Sequence, residues 1–196
     1  VVLGQAVTAV GSEAIATRVS DVTADGFVFR FQEQEAGDGL VATEELDWIA
    51  VETGQSAGFF AGVTGDTVTH LPSAISFGGA FSGASPAPAL FAAMQSFNGG
   101  DPSTVRALSR TASGAELFVE EEQSADSETD HNRAEAVGVL AIGEGLLTVG
   151  TPPPPPPVSS GTIGEAGTVT IEQLDGSQWH AVSFAEGLVD ASVVIG

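Results

Sequence analysis

The sequence lacks cysteine and lysine, and each absence excludes a class of site or partner. Without cysteine there are no disulfides, no thiolate metal sites and no cysteine nucleophiles. Five arginines face 26 acidic residues, which gives a formal net charge of -21. A surface this acidic repels nucleic acid and anionic membranes, so we expect neither as a partner. The composition suits a soluble extracellular protein, a salt-rich habitat or the binding of divalent cations.

Long apolar runs and enzyme signatures are also missing. No segment is apolar over a length that could cross a bilayer, and no signal peptide or initiating Met is present. The sequence holds no nucleophile elbow, no phosphate-binding glycine loop and no ordered Ser/His/Asp set. We therefore expect a protein that is not an enzyme and does not insert into membranes.

What the sequence does contain is the pattern of short β-strands. Apolar and polar residues alternate with period two over residues 27–32, 46–51 and 168–172. Turn signals such as Asp25-Gly26 and Asp175-Gly176 separate these segments at roughly ten-residue spacing. This pattern predicts an all-β protein made of antiparallel β-sandwiches, with no helix longer than a turn or two.

The most informative feature is an internal repeat. An offset of 88 positions (106 − 18) places Arg18 on Arg106. Beyond a three-residue insertion, Glu44 meets Glu135. Four further matches without a gap are Gly11 with Gly99, Thr23 with Thr111, Gly26 with Gly114 and Glu33 with Glu121. A second pair of segments, residues 67–69 and 168–170, also shares the letters Thr-Val-Thr.

These matches divide the chain into two related sandwich modules, one of them split. We predict that residues 1–54 form the back half of the split module and residues 60–145 a contiguous module. Residues 146–160 include six consecutive prolines and form a polyproline linker. Residues 161–196 form the front half that completes the module of residues 1–54.

The two ends of the sequence are equivalent in the repeat, since residues 1–4 resemble residues 193–196 at a period of 192 (193 − 1). The last front half then completes the first back half either in the same chain or in the next one. The second alternative is strand complementation between units. The predicted assembly strands comprise Val1, Val2, Leu3, Val193, Val194 and Ile195.

Two short stretches carry a family resemblance: residues 21–27, Asp-Val-Thr-Ala-Asp-Gly-Phe, and residues 46–51, Leu-Asp-Trp-Ile-Ala-Val. They resemble the turn and the "WIA" strand of the H-type lectin domain, and residues 110–114 and 139–142 resemble a degraded second copy. The resemblance implies an antiparallel sandwich that often trimerises and binds sugars, notably N-acetylgalactosamine.

Four residues are candidates for binding a sugar: Trp48, Trp179, Arg18 and Arg106. An exposed Trp face packs against a pyranose, whereas a buried one fills a core. The two arginines alternatively pair with Glu33 and Glu121 across neighbouring strands, which contributes about 0.2–1 kcal/mol each.

An acidic stretch supplies candidate ligands for calcium, a hard cation that prefers oxygen. The predicted ligands are Glu121, Asp126, Glu128, Asp130 and Glu135. The alternative is a solvated acidic loop, because the spacing lacks the register of an EF-hand. With a single nearby imidazole, His131, the stretch does not predict metalloenzyme chemistry.

The sequence thus favours a structural repeat unit of an extracellular filament or giant adhesin, assembled head-to-tail by β-strand complementation. The alternative is a carbohydrate-binding, lectin-like module that acts in adhesion. The expected partners are copies of the chain itself and cell-surface glycans, and the expected location is extracellular or at the cell surface.

Overall fold

A computed structural model describes residues 1–83, 86–143, 164–173, 176–185 and 194–195. These residues form fourteen β-strands and no helix, which confirms the all-β prediction. Within these ranges there is accordingly no helix able to cross a membrane. The strands are β1 (Val2–Ala6), β2 (Ile15–Ser20), β3 (Gly26–Glu33), β4 (Val41–Val51), β5 (Gly54–Ser56), β6 (Phe59–Thr64), β7 (Ser73–Ser76), β8 (Ala89–Met94), β9 (Ser103–Arg110), β10 (Gly114–Glu121), β11 (Val137–Ile142), β12 (Gly164–Gln173), β13 (His180–Ser183) and β14 (Val194–Ile195).

The strands make two sandwiches with the same internal order. The first sandwich pairs sheet β1-β4-β12 with sheet β13-β3-β2, and the second pairs sheet β8-β11-β6 with sheet β7-β10-β9. Strands β5 and β14 add to β6 in the second sandwich. Apart from the parallel β14–β6 pair, the pairings are antiparallel.

The core of the first sandwich is aromatic because alternation along β3 points three phenylalanines inward. Phe27, Phe29 and Phe31 are at most 2% exposed. The Phe27 ring lies 5.5 Å from the Trp48 ring of β4 in an edge-on contact. The other buried members of this core are Val2, Val19, Val41, Leu46, Ala50, Ile171 and Phe184. β12 and β13 thus supply part of the same core.

The second sandwich has a separate core with fewer large rings on its central strands. Leu117 and Val119 occupy the positions on β10 that Phe29 and Phe31 occupy on β3. Phe77 and Phe81, on and after the turn that follows β7, fill the remaining space. A third, smaller cluster joins the two sandwiches and consists of Val1, Val51, Ala61 and Leu140.

The register of the strands supports the repeat at the level of single residues. Arg18 faces Arg30 across β2 and β3, and Arg106 faces Phe118 across β9 and β10. The turn before β3 requires Gly26 because a Cβ there would meet the carbonyl oxygen of Val182 at 2.1 Å. The same holds at Gly114 with the Ile75 carbonyl at 2.2 Å. The offset and the three-residue insertion that relate the two sandwiches are therefore those found in the sequence.

One sequence match is not the structural one. Residues 168–170 lie inside β12, where Val169 faces Leu46. Residues 67–69 follow β6, and Val68 forms an isolated bridge with Glu135. The strand that occupies the place of β12 in the second sandwich is β6, because it pairs with β11 as β12 pairs with β4. The shared Thr-Val-Thr letters misled because three residues of common strand formers recur by chance.

In the single chain described, the C-terminal strands complete the first sandwich. Residues of β12 and β13 pair with β4 and β3 of the same polypeptide, with Val169 opposite Leu46 and Val182 opposite Phe27. β1 pairs with β4, and the backbone of β14 pairs with β6. The polyproline linker at 146–160 and the predicted assembly residue Val193 lie outside the described residues. The domain limits drawn from the sequence stay a prediction.

Candidate functional site: a buried Arg–Glu junction between the two sandwiches

A tight turn in the second sandwich surrounds the carboxylate of Glu135 with donors. The backbone N–H groups of Asn98 and Gly99 each donate to Oε1 at 2.9 Å. The Ser96 hydroxyl donates to Oε2. Glu135 is fully buried, and burial of a charge is tolerated only where hydrogen bonds replace water. We call residues 96–99 the carboxylate turn of the second sandwich.

Arg18 of the first sandwich reaches this carboxylate from β2. Its Nη2 lies 3.2 Å from Glu135 Oε1, and both side chains are 0% exposed. Nη1 donates to Gln32 Oε1 at 2.9 Å and to the Asp101 carbonyl at 3.1 Å. The Ser103 hydroxyl lies 3.3 Å from the same nitrogen. A buried ion pair therefore crosses the boundary between the sandwiches.

His131 holds the other side of Glu135. Its Nδ1 lies 2.7 Å from Glu121 Oε1, and its Nε2 lies 3.2 Å from Glu135 Oε1. Two carboxylates on the two ring nitrogens both need an N–H, which only the charged imidazolium provides. The ring also fills the space over Gly99, where a Cβ would lie 2.1 Å from Cε1. Two cations and two carboxylates thus balance in one buried cluster.

The pKa directions follow from this balance. Burial works against the charged form of His131, but Glu135 and Glu121 outweigh it and raise the pKa of the imidazole. Burial likewise works against ionised Glu135, yet hydrogen bonds from His131, Ser96 and Gly99, with the charge of Arg18, lower its pKa. Burial lowers the pKa of Arg18 to about 10, which leaves the guanidinium charged at neutral pH.

A stack of aromatic and guanidinium groups covers the junction. Phe97 lies under both arginines, with Arg30 Cζ 3.9 Å and Arg18 Cζ 4.5 Å from its ring centroid. Trp179 packs edge-on against Phe97 with 5.4 Å between ring centroids, and Arg30 lies 5.2 Å from the Trp179 ring. Because cation–π contacts strengthen when water is excluded, this stack stabilises the charged cluster beneath it.

The first sandwich contains an equivalent carboxylate turn at residues 8–11. Glu44 Oε1 accepts N–H groups of Val10 at 2.8 Å and Gly11 at 3.0 Å. The Thr8 hydroxyl donates to Oε2. Each donor holds the position of its counterpart around Glu135. No arginine of the described residues lies within ion-pair distance of Glu44.

The equivalent of Arg18 is on the surface. Arg106 Nη1 binds Glu120, the residue at the position of Gln32, and its side chain is 58% exposed. The predicted pairs of Arg18 with Glu33 and of Arg106 with Glu121 are not formed. Glu33 accepts the N–H of Gly39 instead. The cause is strand alternation, which puts Glu33 and Glu121 on the opposite face of the sheet from the arginines.

The structure does not bring the four sugar-binding candidates into one site. Trp48 packs into the first core and is 8% exposed, and Arg18 is sealed in the junction. Arg106 is exposed and lines an open groove of about 700 Å³ that Trp48 also borders. Trp179 is half-buried and packs on Phe97. The alternative predicted for this residue was a position in a sandwich core.

The five calcium candidates do not converge on one point, although Glu121, Asp126 and Glu128 line the same groove. Glu121 and Glu135 bind His131. Asp126 and Glu128 line a groove of about 600 Å³ beside the junction, and Asp130 bridges backbone to Glu120. In the described part of the chain no group of three or more carboxylate or imidazole side chains is arranged to hold a metal ion.

The repeat in the sequence predicts that Arg18 is equivalent to Arg106 and Glu44 to Glu135. It does not predict that Arg18 contacts Glu135. The sequence patterns did not indicate that Ser96, Phe97 and Asn98 surround a buried carboxylate. A signal was present in the repeat, since Thr8 matches Ser96 and Gly11 matches Gly99 at the offset that relates the two arginines.

Comparison with known proteins gives one similarity. No protein-family model matches the chain, so the H-type lectin resemblance gains no support, and no solved structure matches it significantly. The chain is 33% identical over 147 residues to halomucin of Haloquadratum walsbyi (strain DSM 16790 / HBSQ001). The match covers 71% of this chain and 2% of halomucin. The chain is thus similar to a small segment of a very large protein.

Proposed function

We propose that the chain is a structural repeat unit of a large extracellular or cell-surface protein, a filament or adhesin. The observation that carries the proposal is the similarity to a segment amounting to 2% of halomucin, combined with the duplicated sandwich inside the chain. Large proteins built by stacking one unit need repeated contacts between neighbouring units. The acidic surface keeps such an array soluble.

We further propose that units join head-to-tail by exchange of β12 and β13. Those strands are separated from their partners β4 and β3 by more of the chain than any other pairing in the first sandwich. An exchanged pair of chains would keep every one of these strand pairings and change only which chain supplies them. Such exchange of an identical element is a low-cost route to assembly.

A pair of engineered cysteines tests the exchange, because the chain has none of its own. Asp47 and Thr168 face each other on β4 and β12 and are both exposed. The variant Asp47→Cys/Thr168→Cys should oxidise to covalent ladders that match filaments seen by electron microscopy. The control Ser109→Cys/Glu116→Cys lies on β9 and β10, which are contiguous, and should oxidise within one chain.

Ladders from the first variant and monomers from the control support strand exchange. Oxidised monomers from both variants, with closed 19.7 kDa particles in the microscope, contradict exchange and filament formation together. Filaments that contain only intramolecular cross-links at 47–168 contradict exchange but leave the repeat-unit role in place.

A second candidate function is carbohydrate binding in adhesion. The observation that favours it is the half-buried Trp179, whose ring packs with Phe97 and Arg30 in a surface stack. An indole at the surface is a suitable face for a pyranose. We expect a glycan that binds to change Trp fluorescence in the native chain and in Arg106→Met but not in Trp179→Leu. Binding that survives Trp179→Leu would contradict this assignment.

A further inference from the structure

We propose that Arg106 of one copy docks on Glu44 of a second copy and reproduces between chains the contact that Arg18 makes with Glu135 inside one chain. The partner is thus another copy of this chain or the neighbouring repeat of a longer one. The inference rests on the proposed role as a repeat unit, but it needs no exchange of strands.

The donor side is already arranged for this contact. Arg18 uses Nη1 to bind Gln32 on the adjacent strand and Nη2 to reach Glu135. Arg106 uses Nη1 in the same way, to bind Glu120. Its Nη2 has no ion-pair partner in the described part of the chain. The guanidinium is therefore held on β9 in the orientation in which Arg18 leaves β2.

The acceptor side has the same donors and lacks the arginine. Glu44 Oε1 accepts two backbone N–H groups, as does Glu135 Oε1. Glu135 Oε1 takes two further donors, from Arg18 and His131. At Glu44 the described residues supply neither of these. Glu44 is only 2% exposed in the single chain, so an arriving guanidinium reaches its carboxylate only where the residues around the turn open a path. A carboxylate that can still accept a donor is the complement of an exposed guanidinium.

Residues around the two sides differ from the inner junction in a complementary way. Val10, whose N–H binds Glu44, and Leu40 are 68% and 51% exposed, and by repeat position they replace Asn98 and His131 of the inner junction. On the donor side, Leu108 is 62% exposed near Arg106. Phe118 replaces Arg30, and Ala9 replaces Phe97. Polar and cation–π contacts of the inner junction thus become apolar contacts at the outer one.

The geometry of such a contact is head-to-tail. The first sandwich offers its β2–β3 face to the carboxylate turn of the second within the chain. The second sandwich offers its equivalent β9–β10 face to the turn of a different copy. Each copy then has one donor face and one acceptor turn left, so the contact repeats as in a heterologous assembly.

Directed disulfide formation tests this arrangement on the full 196-residue chain. Arg30 Cζ lies 3.9 Å from the Phe97 ring centroid across the inner junction, and the equivalent outer positions are Phe118 and Ala9. We expect an equimolar mixture of Ala9→Cys and Phe118→Cys chains to form mixed dimers, because both variants keep Arg106, Glu120 and Glu44. The mixture is studied at high ionic strength, since charges of -21 repel and salt screens that repulsion.

Two controls define the background. A mixture of Ala9→Cys with Ser56→Cys places the second thiol at an exposed site on β5, away from β9 and β10. Adding Arg106→Glu to the Phe118→Cys chain should lower the yield of mixed dimer about tenfold, which corresponds to about 1.4 kcal/mol. Adding Arg110→Glu, an equal charge change on the same exposed strand, should leave the yield near its starting value.

A mixed-dimer yield equal to that of the Ser56 control overturns the proposal, as does an equal effect of Arg106→Glu and Arg110→Glu. If filaments form while the 9–118 cross-link stays at background, the repeat-unit role stands and this contact is wrong. A specific 9–118 cross-link together with only intramolecular cross-links at 47–168 supports docking and contradicts strand exchange.

Discussion

The two sandwiches have the same strand order and register, yet their equivalent arginines lie in opposite environments. Arg18 is sealed between the sandwiches on Glu135, and Arg106 is on the surface with Glu120. The sheets alone therefore do not determine what an arginine at this position contributes. The contribution of the arginine depends on which surface packs on the β2–β3 or β9–β10 face. Four substitutions test this comparison.

The largest effect is expected for Arg18→Met. Removing the guanidinium leaves the buried cluster one cation short, with His131 alone facing Glu135 and Glu121, which costs about 3–5 kcal/mol of the free energy of unfolding. Chemical denaturation of the full chain measures this loss. The double variant Arg18→Met/Glu135→Leu should regain part of it, because no uncompensated charge remains buried. Equal stability of the single variant and the native chain would contradict the buried pair.

Gly99→Ala should be next, and Gly11→Ala is its matched control. A Cβ at Gly99 would lie 2.1 Å from Cε1 of the enclosed His131 ring, whereas one at Gly11 would meet the flexible end of Glu13 at 3.0 Å. Overpacking of this kind costs about 1–3 kcal/mol. We expect thermal unfolding to show a loss for Gly99→Ala that is clearly larger. The reverse order would argue against His131 over Gly99.

His131→Gln should change how stability depends on pH. The raised pKa of His131 stabilises the fold fully below its ordinary value of 6.5, and this contribution is lost as pH rises through the folded value. The lowered pKa of Glu135 contributes above its ordinary value of 4.5 and is lost as pH falls. The native junction is thus strongest between these values.

Denaturation midpoints measured from below pH 4.5 to well above pH 6.5 check the prediction. The variant should lose the decline on the alkaline side and keep the decline on the acid side. His70→Gln is the control, since His70 contacts only the backbone carbonyl of His131. An unchanged alkaline decline in His131→Gln would show that another group causes it.

The smallest effect is expected for Arg106→Met. A solvent-exposed ion pair contributes about 0–1 kcal/mol, so unfolding of the single chain should change little. The contrast with Arg18→Met is the useful quantity, because the two arginines are equivalent in the repeat. A loss at Arg106 as large as that at Arg18 would mean that Arg106 is buried in solution.

Alternation and turn residues were enough to predict the strands, because a strand that buries one face must alternate. The offset that relates Arg18 to Arg106 was also predictable, since turns and charges recur. The junction was not, because burial of Arg18 depends on Phe97 and Glu135, which are far from it in sequence. No local pattern distinguishes it from Arg106, whose sequence surroundings on the strand are similar.

Closure of the first sandwich by β12 and β13 has a consequence for the order of folding. Strands β6 to β11 of the second sandwich lie together in sequence, so this half can form as soon as it leaves the ribosome or the secretion channel. In the first sandwich, Phe27, Phe29 and Phe31 cannot complete their core until residues near 184 have emerged. Long-range pairing of this kind is slow, and we expect the second sandwich to act as the template on which the earlier residues assemble.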